Sequence, residues 1–408
     1  MKTTLKLLAI LFTVGAAAHA QVAPAATAGP ANLDYTVRYS ETAGFSSTTG
    51  DWQTITPSGS VDYANGKLRH LLNLNYVGGY IWTSGGPNYP HGVFQRLFLS
   101  QGFVWRKWHV MASDDVSYRP QSPITGFSGI PGVGEPIGGP GSPSDQSIIT
   151  NARALDNTAS GELGLTLNHA TGLSAGGSSN LLRFPDGNGL DTDTLMANAE
   201  LTRSFNARNW LSGTYMLSEF SYPGYNVTFK TNTALFRYNH EWNARLSTYA
   251  AVGPQMISSS DSLVVPPSTR IAVKAGVNYR MRFGAANLSY NRGTYGGAGY
   301  LIGAETDSVS AYFSREYRRR TTFGFEGTFN RTSGLQKNGV TNAKYAGAQV
   351  TRRLGRHFNL FANYTAIDQS SSSLLSTPVL STPVLTHLYQ VVGFGFGYSP
   401  QKTRLVRP

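Results

Sequence analysis

The side chains best suited to chemistry are scattered along the chain. Beyond position 20 the histidines are His70, His91, His109, His169, His240, His357 and His387. No two are four residues apart, and the chain has no Cys, so no zinc ligand set is legible. Asp114-Asp115 is the one adjacent carboxylate pair, the arrangement in which shared acid–base work is first suspected. Neighbouring residues on a strand point to opposite faces, so these two carboxylates cannot share one water. The glycine-rich run from Gly126 to Pro143 lacks the GxGxxG and GxxxxGK spacings, and no helical pattern follows it to present N–H groups to a phosphate. Neither an enzyme nor a cofactor is expected.

The basic residues are more organised. Arg208, Arg245, Arg282, Arg318, Arg319, Arg320 and Arg356 lie at or beside short turns, and Lys402, Arg404 and Arg407 occupy the end of the chain. A net charge of +12 invites a nucleic-acid reading. The N-terminus argues against it. Lys2 and Lys6 precede an apolar run, Leu7 to Val14, and Ala18-His19-Ala20 is an A-x-A cleavage site. Residues 1–20 are therefore expected to be a signal peptide, followed by a linker over 21–32. Loss of Lys2 and Lys6 lowers the net charge by two, from +12 to +10. An exported protein meets no regulated nucleic acid, and the absence of Cys suits an oxidising compartment. Two readings of the basic turns remain: anchors for anionic headgroups, or an electrostatic funnel for an anionic polymer or partner.

The elements that carry these residues read as strands almost throughout. Charged residues make up 14% of the chain, against roughly 25% for a soluble domain. The composition is rich in Gly, Tyr and Phe, with 45, 22 and 20 of each, which disfavours both a helical bundle and a disordered chain. Period-2 alternation recurs over stretches of about 11–15 residues, against roughly 5–6 in soluble strands. Ile271, Val273, Ala275, Val277, Tyr279 and Met281 share one face, while Arg270, Lys274, Asn278 and Arg280 share the other. Phe323, Phe325 and Phe329 oppose Thr322, Glu326, Thr328 and Asn330. Around Leu235 the alternation changes phase, which predicts a bulge or a shifted register there.

Short turns begin near His169, Asn206, Asn243, Arg280, Tyr317 and Leu354, at steps of 37 residues, and longer polar connections lie between them. A propeller blade would hold four short strands and a recurring signature. Here each period holds two long strands. The expected fold is all-β: a closed antiparallel transmembrane β-barrel of about 18 strands (16–18) over residues 33–399, with a basic periplasmic tail over 400–408. Short turns should face the periplasm and long loops the exterior. Two aromatic girdles are expected. Trp105, Trp108, Trp210, Trp242, Phe283, Phe358 and Tyr398 lie near the turns, and Tyr80, Trp82, Phe184, Tyr222, Tyr290, Phe329 and Tyr345 near the loops.

Gly393-Phe394-Gly395-Phe396-Gly397-Tyr398 resembles the terminal strand signal of outer-membrane barrels, with Gly393, Phe396 and Tyr398 matching it. Val391 and the tail after Tyr398 depart from that pattern. The exported chain as a whole resembles the β-barrel porins associated with bacterial exopolysaccharide export loci. The resemblance lies in architecture and transfers no catalytic or binding motif. It implies an integral barrel of the bacterial outer membrane that acts as a porin-like conduit, polysaccharide export being the narrower form of that expectation. The implied partners are outer-membrane lipid, the barrel-assembly machinery and a polysaccharide export partner. A non-conducting barrel whose loops bind surface ligands is the alternative.

Three sets of residues carry the expected site. Arg270, Lys274 and Glu326 should project into the lumen. The loop 120–154 is either a plain surface loop or, as the third loop does in general porins, an inward constriction built from Phe127, Ile130, Pro131, Val133 and Glu135. The Arg residues of the short turns form a periplasmic basic rim. Glu162, Glu200 and Glu219 are further candidates for inward charge. The repeat Ser-Thr-Pro-Val-Leu at 376–380 and 381–385 should tolerate deletion.

Overall fold

The computed structural model describes residues 32–46, 50–67, 69–85, 91–120, 153–187, 189–297, 301–318, 320–335, 339–371, 387–400 and 403–404. Residues 1–31, which include the expected signal peptide, most of the loop 120–154, the repeat at 376–385, Arg319, Lys402 and Arg407 lie outside them. Eighteen long strands follow in order: β1 (Asn32–Ser46), β2 (Gly50–Lys67), β3 (His70–Ser84), β4 (Gly92–Val104), β5 (Trp108–Pro120), β6 (Arg153–Asn168), β7 (Thr171–Arg183), β8 (Thr192–Asn206), β9 (Asn209–Tyr222), β10 (Val227–Glu241), β11 (Leu246–Ser259), β12 (Ser268–Met281), β13 (Gly284–Tyr295), β14 (Ala304–Tyr317), β15 (Thr321–Gly334), β16 (Val340–Leu354), β17 (Phe358–Ser371) and β18 (His387–Tyr398). Each pairs antiparallel with its neighbours in sequence, and β18 pairs with β1 from Val37↔Tyr398 to Ser46↔Tyr389, which closes the barrel. Closure removes the sheet edges that would otherwise expose unpaired N–H and C=O groups.

Burial alternates as the sequence pattern requires. On β12, Ile271 and Val277 face outward and are exposed, while Ala272 and Gly276 are buried on the other side. On β2 the inward residues Thr54, Thr56, Ser58 and Ser60 are all buried. The outward faces carry Leu97 and Leu99 on β4, Val252 and Met256 on β11, Phe325 on β15, and Phe394 and Phe396 on β18. An apolar band of this extent around a polar interior is the surface of a barrel in lipid, not in water. The barrel is thus an integral outer-membrane barrel.

The periplasmic turns are tight because their residues hydrogen-bond locally. Asn168 Oδ1 accepts from Ala170 N at 2.8 Å, Asn206 Oδ1 from Arg208 N at 2.9 Å, and Asn243 Oδ1 from Arg245 N at 2.8 Å. These are Asx turns, which recur along the chain at nearly the hairpin period. Register slips occur beside two of them, between Thr166 and Asn168 and between Ser204 and Asn206.

Two expectations are corrected. First, no bulge lies at Leu235. The β9–β10 register runs unbroken through Ala234↔Tyr215 and Leu235↔Thr214, and Leu235 points inward. The β10–β11 ladder keeps one register on either side of Gly253-Pro254. Pro254 has no N–H to donate, and a Cβ on Gly253 would meet the Ala234 carbonyl, so the two strands approach closely there. Second, end-of-strand position does not decide a face. Trp210, Phe184, Tyr222 and Tyr345 turn inward rather than joining the girdles. After β18, Thr403 and Arg404 pair with Leu33 and Asn32 of β1.

An epitope placed in the loop at Gly224, between β9 and β10, is expected to be labelled on intact cells. The same epitope in the turn Asn243–Arg245 should stay silent until the outer membrane is opened. Labelling with the opposite polarity would invert the topology.

Candidate functional site

The inward faces of the strands build the site, and most of their carboxylates are held in place by neighbouring side chains. Arg96 on β4 grips Asp115 on β5 through two nitrogens, with Nη2–Oδ2 at 2.7 Å. Glu200 on β8 accepts from Thr202 at 3.1 Å and from Thr214 at 3.2 Å. Asp156 accepts from Asn180, Asp62 from Asn75, and Glu326 from the Tyr345 hydroxyl. His109 lies 3.8 Å from Glu162. The Arg96 pairing neutralises Asp115, whereas hydrogen bonds from neutral donors fix the other carboxylates in place and leave their charge in the lumen.

Two inward cations are less fully answered. Arg237 on β10 lies over the Tyr249 ring at 4.4 Å, and its Nε makes no hydrogen bond among the described residues. Lys274 on β12 shares the field of Arg237 and Glu200. Arg237 and Glu200 line one recess of about 310 Å³ toward the periplasmic end, with His109, Trp210, Ser212 and Asn239. The recess therefore sets one cation, Arg237, beside one hydrogen-bonded carboxylate, Glu200, and Lys274 lies outside its lining but within the field of both.

The expected lumen charges are not equivalent. Lys274 and Glu326 lie on the inward faces of β12 and β15. Arg270 shares the side of Lys274, but its guanidinium is hydrogen-bonded to Glu305, which Arg292 also contacts at 2.8 Å. The β12–β13 ladder runs from Met281↔Gly284 to Val273↔Arg292, below the level of Arg270. Arg270 thus acts as one member of an ion-pair cluster near the loop end rather than as a free cation. Glu219 points outward, 2.9 Å from Lys230. Arg208, Arg245, Arg282, Arg318, Arg320 and Arg356 sit at the short turns, as their positions in the sequence require. Arg318 there adopts φ +50° and lies over the Tyr317 ring.

Asp114 and Asp115 point to opposite faces. Asp115 is held by Arg96 inside, and Asp114 accepts from Asn157 outside at 2.9 Å. Gly172-Leu173-Ser174-Ala175-Gly176 has the GxSxG spacing of a nucleophile elbow, but Ser174 lies within the continuous strand β7 rather than on a strand-to-helix turn. Neither constellation forms a catalytic site. Among the described residues no group of three His, Cys, Asp or Glu side chains could hold a metal ion.

The feature that sequence reasoning missed is at the loop end. Phe220 and Tyr222 of β9, Phe229 of β10 and Ile257 of β11 all face inward and are buried. They pack with Leu190, Val265 and Leu335 from three different loops, with Ile302 alongside. The Tyr222 hydroxyl donates to the Gly296 carbonyl and accepts from Gly303 N at 3.0 Å, pinning both ends of the loop 296–303. Gly303 has φ +73°, and an added Cβ would press on Leu335 and Phe229. Loop 260–267, together with Gly296, Gly297, Leu301, Ile302 and Gly303 of the loop after β13, thus lies on the lumen side and narrows the mouth. Phe127, Ile130, Pro131, Val133 and Glu135, expected to form the constriction, lie outside the described residues. The available signal was weak: three aromatics at the ends of two adjacent strands that a girdle would explain equally well.

No family model and no curated protein matches the chain. Solved structures do. OccK2 of Pseudomonas aeruginosa matches with 11% identity, 90% of this chain, 97% of that chain and a TM-score of 0.48. OccAB4 of Acinetobacter baumannii matches with 9% identity, 93% of this chain, all of that chain and a TM-score of 0.50. The match to OccAB4 concerns the fold alone: a closed antiparallel barrel of eighteen strands, similar to an outer-membrane channel over nearly its whole length.

Proposed function

We propose that the protein is a passive, water-filled channel for small hydrophilic solutes, with a preference for anions. The observation that carries this reading is the imbalance inside the barrel. Arg237 and Lys274 reinforce one another's field on the inward face and share one carboxylate, Glu200, while the other inward carboxylates named above lie on other strands. Low-dielectric walls strengthen the pull of such cations on anions. Reconstitution in a planar bilayer tests it. In a salt gradient the reversal potential should report anion preference, which fades as salt shortens the Debye length to about 8 Å at 0.15 M ionic strength. Lys274→Glu should shift the reversal potential toward cations. A channel whose selectivity ignores that change would refute the role of Lys274.

Conduction of an exported polysaccharide is the narrower form of the same reading. It is supported by the architectural resemblance and requires the apolar mouth to open beyond the width a small solute needs. Gene neighbours for polysaccharide polymerisation and export, with uptake of a dextran probe by liposomes carrying the protein, would support it. A protein that never conducts would favour an adhesive barrel whose loops bind surface ligands.

A further inference from the structure

Asp114 lies in a place where a carboxylate is costly. It is on the outward face of β5, six positions beyond Trp108 and four before Tyr118, with Ala112 and Val116 as its outward neighbours along the strand. Leu99 of β4 and Ala159 of β6 are its cross-strand partners. Other outward acids sit near loop ends and form ion pairs there, as Asp193 does with Arg183, Glu219 with Lys230 and Asp368 with Lys344. Glu41 on β1 lies deeper than these and is met by Gln53. Asp114 has no cation. Among the described residues its hydrogen-bond partner is the Asn157 carboxamide, which retains a second N–H. An ionisable group at membrane depth is normally answered by protein, not by lipid.

We infer that the outward face of β4 to β7 around the Asp114–Asn157 pair is a two-fold contact with a second copy of this chain. The chemistry is self-complementary. Carboxylate and carboxamide lie side by side, one an acceptor and the other a donor. A two-fold axis along the membrane normal, between β5 and β6, brings each Asp114 to the partner's free Asn157 N–H. The surrounding face permits the approach. Ala159 and Gly161 of β6 and Ala175 and Gly177 of β7 point outward beside the pair, and small residues let backbones come close in a membrane. Leu97 and Leu99 stand out on β4, which the axis sets against β7 of the other copy. The far wall also has small outward residues, as at Ala311 and Gly327, but among the described residues no outward carboxylate lies beside them.

The chain has no Cys, so a single cysteine reports on one place. In isolated outer membranes, Ala159→Cys treated with a short bis-maleimide should give a species of twice the single-chain mass. Ala311→Cys, outward on β14 across the barrel, should give none above background. Adding Asp114→Leu to Ala159→Cys should lower the yield about tenfold, equivalent to ~1.4 kcal/mol. Glu41→Gln should leave it unchanged. Heat-modifiable gel mobility would confirm that each variant still forms a barrel, and the mass of the wild-type protein in mild detergent gives a measurement free of any substitution. An adduct of another mass, equal yields at Ala159 and Ala311, indifference to Asp114→Leu, or a wild-type monomer in both membrane and detergent would each overturn the two-fold contact.

Discussion

Val277→Arg is expected to destabilise the barrel by about 2–4 kcal/mol, the cost of a cation facing lipid near mid-depth. Val277 points outward on β12 and is paired across the sheet with Thr248 and Leu288. The rungs around it are apolar: Tyr279 with Ala286 on one side, Ala275 with Tyr290 on the other. The next rung on the loop side brings Arg292, which marks where the polar rim begins. Asn278, one residue along, points inward and receives a hydrogen bond from Asn287 at 2.6 Å. Asn278→Arg gives up that bond but keeps its charge in a polar lumen, so its cost should be about 1 kcal/mol or less. Urea titration of the refolded barrel in lipid measures both. Equal losses would show that the face is misassigned, because a one-residue slip exchanges every inward and outward side chain.

Tyr222→Phe should loosen the mouth while leaving the barrel wall intact. The hydroxyl serves a carbonyl at Gly296 and an N–H at Gly303, and both are left without it when the oxygen is removed. Each buried group so stranded costs about 1–3 kcal/mol, which is enough to shift the loop 296–303 toward an open position. The ring itself stays against Phe229, with centroids 6.2 Å apart, so the cluster is weakened and not emptied. In a planar bilayer the expected result is a larger unitary conductance than that of the wild type, with heat-modifiable mobility unchanged. Phe229→Ala, which removes the ring at the centre of the cluster, should act in the same direction with a cavity cost of about 3–5 kcal/mol. Unaltered conductance in both variants would show that the apolar cluster does not limit flow.

The division between what is written along the chain and what is written across it follows from the physics of a barrel. Strand positions and facing were legible because lipid outside and water inside impose a two-residue alternation on long segments, which needs no tertiary information. Thus Ile271 and Val277 could be assigned outward, and Lys274 inward, from spacing alone. The side on which turns and loops fall was legible for a similar reason: turns of Asn, Arg and Gly are short, and exterior loops are long. Leu235 misled because Val227, Phe229 and Leu235 are apolar on the inward face of β10 while Phe236 and Tyr238 are apolar on the outward one, so apolar type there changes face with no change of register; Phe229 is inward because loops from other hairpins cover it.

Residues beyond the alternation were decided by the third dimension. Phe184, Tyr222 and Tyr345 have the right types and heights for an aromatic girdle, yet strand parity turns them inward, where loops from distant hairpins cover some of them. Arg270 has the spacing of a lumen cation, but Glu305, 35 residues away, takes its charge. Asp114 and Asp115 are neighbours in sequence and lie on opposite sides of the wall. By itself, the sequence determined an exported, closed antiparallel barrel with a polar inside and an apolar outside, since those properties repeat every two residues. Which charges stay free, what narrows the mouth and where one carboxylate faces the membrane depend on contacts between strands and loops far apart in the chain, and only the closed barrel brings those together.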